Sequence, residues 1–270
     1  GRNGGHVGTG QRADQASIEK WVGMEAAKGL WQLGLDAVHK VCELIDEHQI
    51  DCELGSGNLH LAAKPSHAEE LLEELEHLES QYGYQQLSYL PPEAVAERTS
   101  AQGFYGALLD DGCRHLHPLK YAVGLARAAA EAGVRIYEHS RAQPAHDGES
   151  SEVKTAHGQV NAQHVVLGCN AYLGKLMPRL AGNIMPINNF VIATEPLPSY
   201  LLSRINRDNL SMSDTLFVIN YWKLSEDGRM LFGGGENYSS RFPRDIKAFV
   251  RPHMLNIYPE LDEIEVEYGW

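Results

Sequence analysis

The stretch HPLKYAVGLARAAAEAGVRIYEHS, residues 117–140, constrains the fold more than any other. Pro118 suits the first position of a helix, where its missing N–H is not needed. An alanine-rich helix follows, Gly133 stops it, and the β-branched residues from Val134 read as a strand. A helix feeding a strand is the repeating step of an α/β fold. The next stretch, EVKTAHGQVNAQHVVLGCNAY, extends the pattern, with His157-Gly158 as a hairpin tip and HVVLG as a fully buried parallel strand. A strand followed by glycine and small polar residues puts backbone amides at a sheet's carboxyl edge, where α/β folds bind ligands. Gly168, Cys169, Asn170 and Ala171 stand at that edge.

The flanking sequence has other periods. From Ile18 to His48 apolar residues recur at three- and four-residue spacing, which predicts one long amphipathic helix or two in tandem broken near Gly34. CELGSGNLHLAAKP reads as a strand and a bend. Ser66 with Glu69 forms a capping box that opens a helix with Leu71, Leu72, Leu75 and Leu78 as its buried stripe. After residue 184, NNFVIATEPL, TLFVINYWKL and RMLFGGG alternate with loops, and Asp227-Gly228 is a strong hairpin signal, so this part predicts an antiparallel sheet. No linker separates the two kinds of pattern, which makes them interleaved parts of one fold.

Charge and composition exclude several functions. The 270 residues carry 23 Lys and Arg against 36 Asp and Glu, a net charge of −13 that repels a phosphate backbone, so no nucleic-acid partner is expected. No apolar run approaches the roughly 20 residues needed to span a bilayer, and the chain reads as cytoplasmic. The four cysteines, Cys42, Cys52, Cys113 and Cys169, form no Cys-x-x-Cys pair and read as buried free thiols.

Four stretches carry candidate chemistry. GRNGGHVGTG opens the chain. Gly1, Gly4 and Gly5 can bring the backbone close to a ligand and Arg2 and Asn3 can donate to it, although a free terminus would look the same. His115 and His117 flank Leu116 on one side of an extended segment. Without a third ligand they read as a substrate-contacting or structural pair rather than a metal site. Gly233, Gly234 and Gly235 end a strand, either as a twisted terminus or because something flat lies close. Tyr221 and Trp222 are strand neighbours and point to opposite faces, so one lines a pocket while the other packs.

Taken together, GRNGG, HLHPLKYAVGLARAAAEAGVRIYE, HVVLGCNAYLG, IATEPL and DGRMLFGGG resemble the D-amino-acid-oxidase-like family of FAD-dependent amine oxidoreductases, nearest to its oxidases of gamma-glutamylputrescine-like amines. The resemblance implies an α/β, glutathione-reductase-like FAD-binding fold interleaved with an antiparallel α+β substrate domain. Residues 1–50 and 111–183 would belong to the first, and 51–110 and 184–270 to the second. It implies FAD contacts from Gly1, Arg2, Asn3, Gly4, Gly5 and His6, from Ala142, from Gly168, Cys169, Asn170 and Ala171, and from Gly234 and Gly235. Tyr221 would face the flavin, with His115 or His117 as a neutral proton acceptor. The family's usual residue is Gln at His6 and Thr at Cys169.

The implied reaction oxidises the C–N bond of a small amine to an imine that hydrolyses to an aldehyde. An alkylammonium of pKa about 10 must first lose its proton, at roughly 4 kcal/mol at pH 7. An amino-acid oxidase would instead need an arginine for the substrate carboxylate, with Arg114, Arg229 and Arg241 as candidates. A non-catalytic flavin-fold subunit is the alternative from another class. The family's first βαβ unit precedes GRNGG and a further strand and helix follow the Trp270 region, so the resemblance implies an internal stretch that binds FAD weakly and tends to associate when expressed alone.

Overall fold

The computed structural model describes residues 2–143, 152–238 and 241–270. Along the chain come β1 (His6–Val7), α1 (Gln15–Val22), α2 (Met24–Glu47), β2 (Gly55–Leu61), α3 (Pro65–Tyr82), β3 (Leu87–Leu90), α4 (Pro92–Arg98), β4 (Ala107–His115) and α5 (Pro118–Glu131). Then follow β5 (Glu152–Lys154), β6 (Gln159–Asn161), α6 (Pro178–Ala181), β7 (Asn188–Pro196), α7 (Ser199–Ile205), β8 (Ser211–Asp214), β9 (Tyr221–Leu224), β10 (Arg229–Asn237), α8 (Ile246–Ile257) and β11 (Val266–Gly269). They form two compact units, one of Gly1–Ala128, Asn189–Glu236 and Pro243–Trp270, the other of Ala129–Asn188 and Asn237–Phe242. In the first unit β1 pairs with β4, which joins the N-terminal segment to the antiparallel sheet.

The first unit is built on a nine-stranded sheet of order β1-β4-β2-β8-β9-β10-β7-β11, with β3 also paired to β4. β2 and β8 run parallel, whereas β1–β4, β2–β4, β3–β4, β8–β9, β9–β10 and β7–β11 are antiparallel. Period-two alternation sorts its side chains. Leu59, Leu61, Leu109, Met212, Trp222, Met230, Phe232, Phe190 and Ile192 point to one face, where α4, α7 and α8 cover them with Val95, Leu201, Ile205, Val250, Met254 and Ile257. Trp222 is 1% exposed, stacks on Phe232 and donates from Nε1 to the Tyr258 hydroxyl at 2.9 Å. On the opposite face Asn58 and His60 of β2, Asp110 of β4, Ser211 and Ser213 of β8 and Tyr221 of β9 are polar, and they floor the site described below.

Several expectations hold in detail. α5 starts at Pro118, β5 and β6 form a hairpin about His157-Gly158, and β9 and β10 form one about Asp227-Gly228, where Gly228 takes φ +79°. Others are corrected. The tandem helices break at Gly23, which takes φ +82°, and not near Gly34. Gly34 stays inside α2, where a Cβ would come within 2.8 Å of the Gly10 carbonyl oxygen. α3 begins at Pro65 after an uncapped Lys64, so Ser66 lies inside the helix and makes no capping box. Leu71 and Leu78 are buried on that helix while Leu72 is exposed.

In the second unit, residues 134–137 and 164–168 are not strands. Val166 is 91% exposed, and Val134, Ile136 and Tyr137 are exposed as well. A buried parallel strand needs neighbours to satisfy its backbone. Among the described residues of this unit the only paired strands are β5 and β6.

Candidate active site

A cleft of about 580 Å³ lies over the polar face of the first unit's sheet. Asn58 and His60 from β2, Asp110 and Cys113 from β4, Ser211 and Ser213 from β8 and Tyr221 from β9 line it, and the loop from Asn3 to Thr9 forms one wall. A second cavity of about 600 Å³ shares Thr9, His60, Glu74, Leu87, Asp110 and Ile219 with it, so the space continues between the loop and α3.

Hydrogen bonds along the parallel β2–β8 pair order the floor. Asn58 donates to Ser211 Oγ at 3.0 Å, and His60 Nδ1 lies 2.9 Å from Ser213 Oγ. Asp110 accepts from the Tyr84 hydroxyl at 2.6 Å, the Thr9 hydroxyl at 2.7 Å and the Gly112 amide at 2.8 Å, which pins the loop to β4. The Cys113 thiol also points at Asp110, and burial together with that carboxylate pushes it up to about 12, so it remains a thiol.

Tyr221 stands in a slot made by two glycines. A Cβ on Gly4 or on Gly233 would overlap its ring. Its hydroxyl donates to Asn189 Oδ1 at 2.5 Å, the His6 ring meets it edge-on at 5.6 Å, and burial pushes its pKa up to about 12. The flat object against Gly233 is therefore the chain's own tyrosine. Gly234 abuts Asn220 and Gly235, at φ +73°, abuts Phe249, and neither lines the cleft.

Two imidazoles face the cleft, and both are held unprotonated. His6 is lowered to about 4, chiefly by burial and further by His115 and Lys223, against the raising effect of the Met212 carbonyl. His60 is lowered to about 4 by burial and by His67. Glu74, exposed at the α3 edge of the cleft, is raised by partial loss of hydration there and then by Asp14 and Asp110.

The other expected residues are distributed as follows. Asn3, Gly4, Gly5 and His6 lie on the cleft wall, Arg2 is exposed, and Gly1 lies outside the described residues. His115 is 1% exposed and off the lining; its Nε2 donates to the Asn209 carbonyl at 2.7 Å. His117 lines a separate cavity of about 540 Å³ with Glu53, Lys120 and Arg229. Arg114 reaches the cleft but donates to the Asp111 and Cys113 carbonyls, and Arg229 is engaged by Asp227 and Glu267. Arg241 belongs to the second unit. There Ala142 is half-buried in irregular chain, and Asn170 and Ala171 lie in a 3₁₀ turn that follows Gly168 and Cys169.

Sequence reasoning passed over His60, Asp110, Ser211 and Ser213. The signal was present in Asn58-Leu59-His60-Leu61 and Ser211-Met212-Ser213, where polar side chains alternate with apolar ones and so share one face.

A family model described as FAD dependent oxidoreductase (DAO) matches residues 1–270. The chain is 36% identical to a probable oxidoreductase OrdL of Rhizobium meliloti (strain 1021) and 35% identical to the gamma-glutamylputrescine oxidoreductase of Escherichia coli (strain K12). In each case the match takes in all of this chain and 63% of the relative's length. Among solved structures, glycine oxidase from Geobacillus kaustophilus superposes with a TM-score of 0.71 at 18% identity, covering 98% of this chain and 70% of the other. L-proline dehydrogenase from P. horikoshii gives 0.67 at 18% identity, over 86% and 64%. At that identity the likeness speaks for the fold, which is the expected FAD-binding α/β type. No described helix is long and apolar enough to cross a membrane.

Proposed function

The chain belongs to the FAD dependent oxidoreductase (DAO) family, and on that premise we propose that its cleft takes up a small amine of gamma-glutamylputrescine type and oxidises its C–N bond to an imine. FAD, when bound, supplies the hydride acceptor. The lining suits the ring end of a flavin: the wall from Asn3 to Thr9 offers backbone polar groups, a Cβ on Gly8 would meet nothing within 4 Å, and Tyr221 supplies an aromatic surface. Asn3, Gly4, Gly5 and His6 are the residues that would hold it.

The observation that carries the reading is the neutrality of His6 and His60. Their drop from 6.5 to about 4 corresponds to roughly 3 kcal/mol against a positive charge in the cleft. The same surroundings favour the neutral form of an amine seated beside them over its ammonium form. The Tyr221 ring, fixed by Asn189, Gly4 and Gly233, then orients the neutral amine. The continuation of the cleft past His60 and Glu74 gives room for a long substrate, and Arg114, with two backbone carbonyls already on its guanidinium, favours an amine over an amino acid.

The test is anaerobic reduction of the FAD-loaded protein by putrescine and gamma-glutamylputrescine against glycine, sarcosine and D-alanine. The amines should bleach the flavin. Tyr221→Phe should raise KM or slow reduction with little effect on stability. Bleaching by the amino acids alone would overturn the reading.

A further inference from the structure

Lys223 follows Tyr221 by two residues on β9 and shares its face of the sheet, yet it is 2% exposed. Its ammonium donates to the Leu116 carbonyl at 3.1 Å and lies 3.4 Å from His115 Nδ1. The Asn209 carbonyl can only accept, so His115 Nε2 carries the ring hydrogen and Nδ1 presents a lone pair to Lys223. A Cβ on Gly55 would overlap the His115 ring, which fixes the ring between β2 and Lys223.

The two groups that Lys223 touches are those on which the N-terminal loop rests. The Leu116 amide donates to the Gly5 carbonyl at 2.8 Å, and His115 is the cross-strand partner of His6. A Cβ on Gly5 would overlap the same Leu116 oxygen that Lys223 grips.

We propose that Lys223 is a positioning residue for the amine oxidation: its ammonium holds Leu116 and His115, and through them the loop and the His6 ring that wall the cleft, while its charge disfavours a second positive charge beside it. The proposal rests on the amine reading only for its last consequence, since the grip on β4 and the loop stands without it.

Two basic groups this close do not both stay protonated in a buried site. With reference values of 10.5 and 6.5 the lysine keeps the proton, and Glu53 and Cys52 act in the same direction against the burial that lowers it. Glu53 is itself bound by Lys120 at 2.9 Å, so it only partly offsets the buried charge. His115, lowered to about 4 by burial and then by Lys223, serves as acceptor. His6 feels both, with Tyr221 from β9, Asp110, Cys113 and Arg114 from β4, His60 from β2 and Glu74 from α3 as the other titratable or charged groups around the cleft.

The experiment follows the imidazole NMR signals of His6 and His115 in the FAD-loaded protein from pH 4.5 to 8, assigned with His6→Gln and His115→Gln. In the wild type both should stay neutral down to about pH 5. In Lys223→Met both should titrate at a higher pH than in the wild type, His115 more than His6, and the acid limb of flavin reduction by putrescine should move up in pH with them. Lys223→Gln keeps a donor for Leu116 without the charge and serves if the Met variant does not fold. Unchanged titrations in a folded variant would overturn the proposal. Shifted titrations in a protein whose flavin no amine reduces would overturn the amine reading and leave Lys223 as the group that holds the loop.

Discussion

Acid should destabilise the first unit through His60, by an amount the structure sets. His60 is lowered to about 4 in the fold by burial and by His67, whereas an unfolded histidine titrates near 6.5. Between these values the unfolded chain binds a proton that the native one does not. The stabilisation is therefore complete above about pH 6.5 and lost as pH falls towards 4. Well inside the window the slope is roughly 1.4 kcal/mol per pH unit, and by pH 5 the loss is about 2 kcal/mol. The assay is urea unfolding of wild type and His60→Gln at pH 7.5 and pH 5.0. Carboxylates that are lowered in the fold, such as Glu53 and Asp227, contribute to both proteins and cancel in the difference. His60 suits this test better than His6, which is coupled to His115 and Lys223. The wild type should lose about 2 kcal/mol more than the variant on acidification. Equal losses, within about 0.5 kcal/mol, would show that His60 is solvated, and with it the cleft floor.

Trp222→Ala should cost about 3 to 5 kcal/mol in urea unfolding at pH 7.5, since it empties the centre of the core and removes the donor to Tyr258. A cost below 1 kcal/mol would mean that β9 is one residue out of register. Gly233→Ala should destabilise by about 1 to 3 kcal/mol, because its new Cβ takes the space of the Tyr221 ring. A variant of wild-type stability and unaltered Tyr221 environment by fluorescence would show that the slot is loose.

The antiparallel part of the fold was legible because its signals are local. Asp227-Gly228 between two apolar runs specifies a hairpin through backbone geometry alone, and the opposite faces of Tyr221 and Trp222 follow from the pleat. The expected parallel strand at HVVLG was not, since an apolar run names no partner and becomes a strand only where neighbours accept its hydrogen bonds. The helix break illustrates the same limit on a smaller scale. Gly23 and Gly34 look alike in the sequence, but one is needed for its φ of +82° and the other for the close passage of Gly10. Only the second reason depends on a segment distant in the chain.

The site divides along the same line. The loop residues Asn3 to His6 are visible through their glycines, whereas the sequence gives no sign that Gly4 and Gly233 also make room for the Tyr221 ring. What the sequence alone cannot convey is burial, and burial is what converts His6, His60 and His115 from ordinary imidazoles into groups that stay uncharged at neutral pH. His115, the histidine that the sequence singled out, has both nitrogens committed, to Asn209 and to Lys223. It acts on the cleft through the strand it shares with Leu116, while the imidazoles that meet the cleft come from β1 and β2. A proton-poor cleft is in this sense a property of the sheet's whole polar face, and removing one basic group from it should register at the others.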